Sequence, residues 1–351
     1  ERNFQMYEPV LEPIEGDNND TKEIGGLTVT PYSQKNILIM NDNKEKLFKL
    51  NEKPYLVYDE SNYPEEALDF IERQPSYMTN TESKEVALGA MKVTDICLIK
   101  FHSEFLNKKT HILDLREVTY AQHALRSFAE LYVKIAIESL NIETGEIQLG
   151  YQRKRFDGNL IEQVFLSDKL DNGAGYADKL SKPEEVKKIL DRIINDIKPI
   201  WEGSWHKDCD SSCQNCLRNY DNRKVHGKLN WKLALDMAEI AYDVKYDEER
   251  WFYGVEKKLD QFINSYSERG FELKKLGNMF AVINSKKNVG VILTHPLWNT
   301  SKEIYWPDGL RQTFVDLSSL DGLEDIVPED AFLDVMTFEN SPVKLFHKLM
   351  R

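Results

Sequence analysis

No run of 18 or more apolar residues occurs among the 351, so no stretch is long enough to cross a bilayer as a helix. Cysteine is scarce, four residues with three inside eight positions. That is not the dispersed framework of a secreted disulfide-stapled domain, and a reducing cytoplasm is the expected location. The N-terminus, Glu1-Arg2-Asn3-Phe4-Gln5, has neither an initiator methionine nor a signal-peptide apolar core, so a trimmed chain or a piece of a longer one is expected. Also missing are the G-x-x-x-x-G-K-[ST] phosphate loop, the D-E-x-H box and the H-E-x-x-H helix, which leaves an ATP motor or a zincin-type catalytic centre without its parts here. Internal repeats and low-complexity tracts are absent. Positive charge is in deficit, 46 Lys and Arg against 59 Asp and Glu for a formal charge of −13. A surface that clings to nucleic acid throughout is thereby disfavoured, while a local basic groove is not.

What is present is enough apolar material, 41% of residues, to build real cores. The length suggests two or three units of roughly 150 residues each. We expect an N-terminal extended or β region with a linker over 1–90, a zinc-binding α+β unit over 91–245, and a C-terminal α+β unit of unknown role over 246–351. Residues 1–33 are mostly polar and read as extended or loose, and Gln74 to Lys84 reads as a linker. Strand-like runs stand at Asn36–Met40, Tyr55–Tyr58, Met91–Lys100, Ile147–Gln152, Glu162–Leu166 and Val289–Leu293. Helical spacing marks Val118–Leu140 (Ala121, Ala124, Leu125, Phe128, Tyr132, Ile135) and Pro183–Trp201 (Val186, Ile189, Leu190, Ile193, Ile197). Pro183 suits a first helical turn. Further helices are expected over Trp231–Val244 and, as one long element, Glu248–Arg269, stopped by Gly270. The fold class is α+β, short mixed sheets packed on long helices with a zinc-stabilised loop.

The densest chemistry is Cys209-Asp210-Ser211-Ser212-Cys213-Gln214-Asn215-Cys216. Three thiolates at x3 and x2 spacing can converge on one tetrahedral Zn2+. A redox pair does not need the third cysteine, and a catalytic zinc would need an open position and a general base. Structural zinc is therefore the expectation. Three ligands leave a fourth to find: His206, three residues before Cys209, is the first choice, and His226, ten after Cys216, the alternative. Cys97 lies in an apolar strand and reads as a small hydrophobe. The polar loop between Gly203 and Lys228 has little apolar content, and a structural zinc, worth on the order of 10–16 kcal/mol, would fold it.

With these residues in view, the chain resembles the C-terminal zinc-binding domain of MrfA-like DEAD/DEAH-box helicases, which also occurs in antiphage-defence proteins of the DISARM and Druantia kind. Thr94-Asp95-Ile96-Cys97-Leu98 resembles the family's opening strand. Phe165-Leu166-Ser167-Asp168 followed by Gly173-Ala174-Gly175-Tyr176 is similar to its Asp-turn-GGAGY signature, with Asn172 in place of the first glycine. The cysteine array and the run Leu217-Arg218-Asn219-Tyr220-Asp221-Asn222 with His226 follow. The resemblance covers about residues 34–245. It departs where family members carry a further cysteine, occupied here by Lys207, and the adjacent His206 is the expected replacement. Residues 246–351 resemble the tail of the same proteins, with no activity attached.

The resemblance implies a non-catalytic accessory region of a helicase-type system, partnered by a motor that lies on a missing N-terminal part or on a separate subunit. DNA contact is a further expectation. From Ile200 to Lys232 six Lys or Arg face four acids, and Arg218, Arg223, Lys224 and Lys228 are the candidate phosphate contacts. Gln152-Arg153-Lys154-Arg155-Phe156 is a second basic run. Asp168 is expected to hydrogen-bond its glycine turn. Two other readings stay open: a metal-dependent nuclease or other enzyme with its site in 246–351, and a module that docks a helicase without touching DNA.

Overall fold

Period-two burial along one long strand organises the first half of the molecule. In the computed structural model, which describes residues 8–11, 20–41, 48–51, 57–58, 83–86, 88–102, 112–156, 158–170, 172–206, 209–243 and 246–351, the strand expected at Met91–Lys100 is β7, Leu88–Phe101. Its Cys97, Ile99 and Phe101 join the main core, while Ile96 and Leu98 bury on the opposite face with Ile37 and Phe165. Both faces are covered, so β7 is central. Before it come β1 (Glu8–Leu11), β2 (Lys22–Ile24), β3 (Leu27–Asn41), β4 (Phe48–Asn51), β5 (Val57–Tyr58) and β6 (Ser83–Val86). β8 (Ile147–Phe156) and β9 (Asn159–Asp168) form a hairpin.

Six of these strands make one sheet in the order β1-β3-β7-β9-β8, with β2 on β3, and every pairing is antiparallel. β3 pairs β7 from Leu27↔Phe101 to Asn41↔Leu88, with a register shift between Tyr32 and Lys35 where Gln34 takes φ 54°. Within the segment expected to be extended or loose, 22–24 and 27–33 are extended strand, joined by a turn at Gly25-Gly26. The reason is pairing: β3 lies between β1 and β7 and gains a ladder of hydrogen bonds with both that no local pattern announces. Within the hairpin, Gly150 lies opposite Phe165, whose ring lies where a Cβ would stand. β4, β5 and β6 form a separate antiparallel sheet, β5-β4-β6. Of the remaining N-terminal expectations, Tyr55–Leu56 and most of the Gln74–Lys84 linker fall outside the described residues, while Ser83 and Lys84 are in β6.

The expected helix at 118–140 is α1, Ala121–Leu140, ended by Asn141 in the left-handed region. Its buried stripe includes Ala124, Leu125, Phe128, Tyr132 and Ile135, and it packs against β8, β9 and a later helix. A short α2 (Tyr176–Leu180) follows the glycine turn. The segment 183–201 is helical throughout but not uniform: α3 (Pro183–Arg192) passes through a π-turn at Ile193–Ile197 into α4 (Lys198–Trp201). Pro199 has no N–H to offer the preceding turn, and the ladder widens so that Lys198 N–H reaches Ile193 O. α5, Trp231–Ala241, starts at an Asn230 cap that accepts from Lys232 N and Leu233 N. Ten of its eleven residues are buried, because α1 lies against it.

One expectation is corrected here. Glu248–Arg269 is not a single helix but a 3-10 turn at Glu248–Trp251, then α6 (Val255–Ser265), then a 3-10 turn at Ser267–Arg269. Gly254 sits at φ 77°, outside the right-handed helical region, and breaks the helix there. Gly270, also at positive φ, ends the segment as expected. Beyond it β10 (Phe271–Leu276), β11 (Met279–Asn284) and β12 (Val289–Thr294) form an antiparallel meander. α7 (Asp308–Ser318) and α8 (Pro328–Ala331) then lead to β13 (Phe332–Asp334), which pairs parallel to β12, before α9 (Val335–Asn340) and α10 (Val343–Leu349). A crossover helix is what a parallel neighbour requires.

The class is α+β. The main core runs without a gap from Leu27 to Leu349, so the first sheet and the C-terminal sheet share one buried interior. Tyr120 hydroxyl meets Thr337 Oγ1 at 3.0 Å inside it. No described helix is long and apolar enough to cross a membrane.

Candidate zinc centre

The loop between α4 and α5 is built from short turns, Ser204–His206 and Arg223–Lys228 among them, with few apolar side chains of its own. It is held by what surrounds it. Trp231 N–H donates to Ser211 O at 2.8 Å and the Trp231 indole to Cys209 O at 2.8 Å. Lys134 from α1 reaches Cys216 O at 2.9 Å, and Arg218 Nε donates to Ser212 Oγ at 2.9 Å. Asn219 and Asn222 exchange side-chain-to-backbone bonds of 2.9 Å, and Asn222 also donates to Leu217 O and to Glu130 on α1.

Inside this frame one donor atom from each of His206, Cys209, Cys213 and Cys216 lies within 4.8 Å of all the others. Cys213 Sγ stands 3.7 Å from Cys216 Sγ, and Cys209 Sγ stands 4.0 Å from Cys216 Sγ. Cys213 Sγ is 3.6 Å from His206 Nε2. A tetrahedral zinc with Zn–S of 2.3 Å and Zn–N near 2.0 Å has S···S edges of about 3.8 Å and S···N edges of about 3.6 Å. Three of the six donor–donor distances therefore stand close to the edge lengths of a zinc tetrahedron, and all six lie within 4.8 Å. His206 is 3% exposed, and its Nδ1 lies 3.2 Å from Trp201 O. Donation to that carbonyl puts the proton on Nδ1 and leaves the Nε2 lone pair facing the sulfurs. Trp201 stacks on the imidazole and Trp231 meets it edge-on.

The electrostatics agree. Cys209 donates to Cys216 and, with the Cys213 backbone N–H and His206, lowers the Cys216 thiol against the opposing effect of burial. Cys209 is raised in turn, first by that same bond. Three sulfurs this close cannot all be thiolates without a cation among them, and a divalent ion removes the conflict. All four positions come from the protein, which is the closed arrangement of a structural site.

His226 is placed elsewhere. Its Nε2 is 2.9 Å from Asn222 Oδ1 and 3.0 Å from Asn219 O, so the ring is spent on the neighbouring turn. Cys97 is fully buried, and burial pushes its thiol up. The candidate phosphate contacts split. Arg218 is half-buried and bonded within the loop, whereas Arg223, Lys224 and Lys228 are exposed. Arg223 lies 4.5 Å over the ring of Tyr220, itself 73% exposed. Lys207 is outside the described residues.

Asp168 does hold its glycine turn. Fully buried, it accepts from the backbone N–H groups of Ala174, Gly175, Tyr176 and Ala177. Gly173 is required as well, because a Cβ there would run into the Asp95 carboxylate.

Sequence reasoning missed a second buried cluster. On α5, Asp236 and Glu239 share one face and grip Arg250, with Glu239 also bound by Lys198. Trp251 Nε1 donates to Asp236 at 2.7 Å, and His295 Nε2 stands 3.3 Å from the same carboxylate. The trace in the sequence is two acids three apart on a helix that is otherwise apolar after Lys232.

Residues 121–217 match the family described as the MrfA Zn-binding domain. Over 167 residues the chain is 28% identical to the Druantia protein DruE of Escherichia coli (strain UMEA 4076-1); the match takes in 46% of this chain and 8% of that protein. The crystal structure of the DUF1998 helicase MrfA bound to DNA aligns with 67% of this chain and 24% of that one, at 12% identity and a TM-score of 0.34. The chain thus spans a small part of the length of each relative. A MrfA-like zinc-binding domain is present, and zinc is its metal.

Proposed function

We propose that this chain is the zinc-binding accessory region of a helicase-type nucleic-acid-processing system of prokaryotic antiphage defence, acting in the cytoplasm. In this reading it has no catalytic step of its own. It scaffolds a DEAD/DEAH-type motor, carried on the same polypeptide or on another subunit, and touches DNA through Arg218, Arg223, Lys224 and Lys228. Zinc is held by Cys209, Cys213, Cys216 and His206, where it closes the loop between α4 and α5. We divide the chain into an N-terminal extended/β region with a linker over 1–90, the zinc-binding α+β unit over 91–245 and a C-terminal α+β unit of unknown role over 246–351.

The observation that carries this is the coincidence of the matched segment 121–217 with four donors at tetrahedral spacing. The similarity to DruE points to defence, though over a small part of that protein. The nuclease alternative finds less support. β11 and β12, Met-Phe-Ala-Val-Ile-Asn and Val-Gly-Val-Ile-Leu-Thr, carry no carboxylate, and a two-metal site needs several. Among the described residues, the Cys/His group is the metal-capable cluster.

The test combines metal analysis with DNA binding. One zinc per chain, lost in Cys213→Ser, together with weakened DNA binding after Arg223→Glu with Lys224→Glu, is the expected result. Full zinc content in Cys213→Ser would remove the metal assignment. Unchanged DNA affinity in the charge-reversed protein would leave a helicase-docking module as the better reading.

A further inference from the structure

Two basic runs, far apart in the sequence, meet the same helix. Cross-strand pairing sets Arg153 directly opposite Glu162, and both of them face α1. Arg126 on α1 holds the same Glu162 through its Nε and Nη2, both at 3.3 Å, and lies 4.4 Å over the Tyr151 ring. Arg153 closes on Glu162 at 3.4 Å while its side chain stays 61% exposed. Arg155, two residues on, shares that face by the period of the strand. The intervening Lys154 points to the other face. Arg116, from the loop before α1, donates to Gly158 O at the hairpin turn at 2.7 Å. It also donates to both carboxylate oxygens of the buried Asp114, which neutralises part of its charge while its side chain stays half exposed.

The turn Arg223–Lys228 also packs against α1. His123 stands three residues before Arg126, about 4.5 Å along the axis. Lys228 ends the 3-10 turn Arg223–Lys228 that contacts α1, and burial, with the charges of Lys228 and Arg126, lowers the His123 imidazole. The exposed Tyr220–Arg223 stack continues from there.

We infer that Arg155, Arg153, Arg116, Lys228 and the Tyr220–Arg223 stack form one track across the N-terminal half of α1, which binds the phosphate backbone of a nucleic acid. This rests on the DNA contact proposed above and extends it from the zinc loop to the β8–β9 hairpin. Glu162 neutralises part of the charge, and its buried carboxylate holds Arg126 and Arg153 in place. Cations held by two segments anchored on one rigid helix keep a fixed spacing, which suits a regular polyanion. The exposed Tyr220 ring with its arginine offers a face on which a base can stack. Phosphate contacts of this kind carry no sequence preference.

The test uses the zinc-loaded 351-residue chain and a fluorescent DNA duplex of two unrelated sequences, titrated over a range of salt. Arg153→Ala with Arg155→Ala is compared with Lys154→Ala and with Arg223→Glu plus Lys224→Glu. Arg155→Ala alone serves as a second variant, free of the Glu162 pair, and zinc content confirms folding. If the track exists, the hairpin double variant weakens both duplexes alike and lowers the log–log salt slope by about 1.8 units. Lys154→Ala leaves the slope unchanged, and the hairpin and loop effects add. Weakening by the loop variant but not by the hairpin variants overturns the track and leaves the loop contact standing. No weakening by either removes both. An equal loss from Lys154→Ala reduces the effect to net charge and overturns the track. Poly-glutamate that displaces DNA and loses its own binding in the same variants makes the partner an acidic protein and overturns the nucleic-acid assignment.

Discussion

His206 and His226 show what a single side chain's surroundings decide. Both were eligible by spacing, yet one ring has its Nδ1 at a carbonyl and its Nε2 facing sulfur, while the other is bonded to two asparagine oxygens. His206→Ala should therefore lower zinc affinity by at least tenfold, whereas His226→Ala should cost only the loop bonds, about 1 kcal/mol. Competition with a chromogenic chelator reads the difference, and equal losses would reverse the assignment. Cys97→Ser should leave zinc content unchanged. Glu130 offers a pH test. Burial pushes its carboxyl from the ordinary 4.5 up to about 7, despite the bond from Asn222. Between those values the folded chain keeps a proton that the unfolded chain has released. Its contribution therefore becomes less favourable as pH rises through that window and is most unfavourable above 7. Glu130→Gln should raise stability by about 3 kcal/mol at pH 8 and by little at pH 4.5, from roughly 1.4 kcal/mol per unit. Equal denaturation midpoints for variant and parent at pH 8 would contradict this.

At the scale of elements, the buried carboxylates act as fasteners. Asp168 satisfies four N–H groups of the turn and first residues of α2, a demand that helix ends leave open. Asp168→Ala leaves those buried and part-buried donors without an acceptor and should cost about 2–3 kcal/mol, with proteolysis appearing first near residues 170–176. Arg250 ties α5 to the segment after it through Asp236, Glu239 and Glu202. Arg250→Met strands two buried carboxylates and should destabilise by about 3–5 kcal/mol, as read in a urea transition. A loss below about 1 kcal/mol would mean that Lys198 and His295 suffice to hold the acids. Because α5 begins at Trp231, which bonds the zinc loop, the same helix links the metal centre to the C-terminal sheet.

Across the whole molecule, the first sheet, α1, α5 and the C-terminal sheet share one interior, so zinc release should loosen more than its loop. Chelation under denaturing stress should lower the melting temperature of the entire transition and not produce a separate small one. Two transitions, with only the second unaffected by chelator, would show independent units. The 351 residues contain no phosphate loop, so purified chain should hydrolyse no ATP above background, and turnover that survives stringent purification would oppose the scaffold reading.

The cysteine spacing, the α1 and α3 stripes, the hairpin strands and the Asp168 turn were legible in the sequence, because each is set by neighbours within a few residues. The α+β class followed from them. The break at Gly254 was not legible, since a glycine inside an amphipathic pattern is compatible with helix or with positive φ. Nor was the pairing of β3 with β7, whose partners are some sixty residues apart. His206 was the first choice by spacing, and its neighbours are local in the chain. The Asp236–Glu239–Arg250 cluster with Lys198 and His295, and the meeting of two basic runs on α1, depended on chain segments brought together only by the closed core. Local spacing specifies which residues can bind a metal or cap a turn; which of them actually meet is decided by burial, where unpaired charge and unbonded polar atoms are too costly to persist.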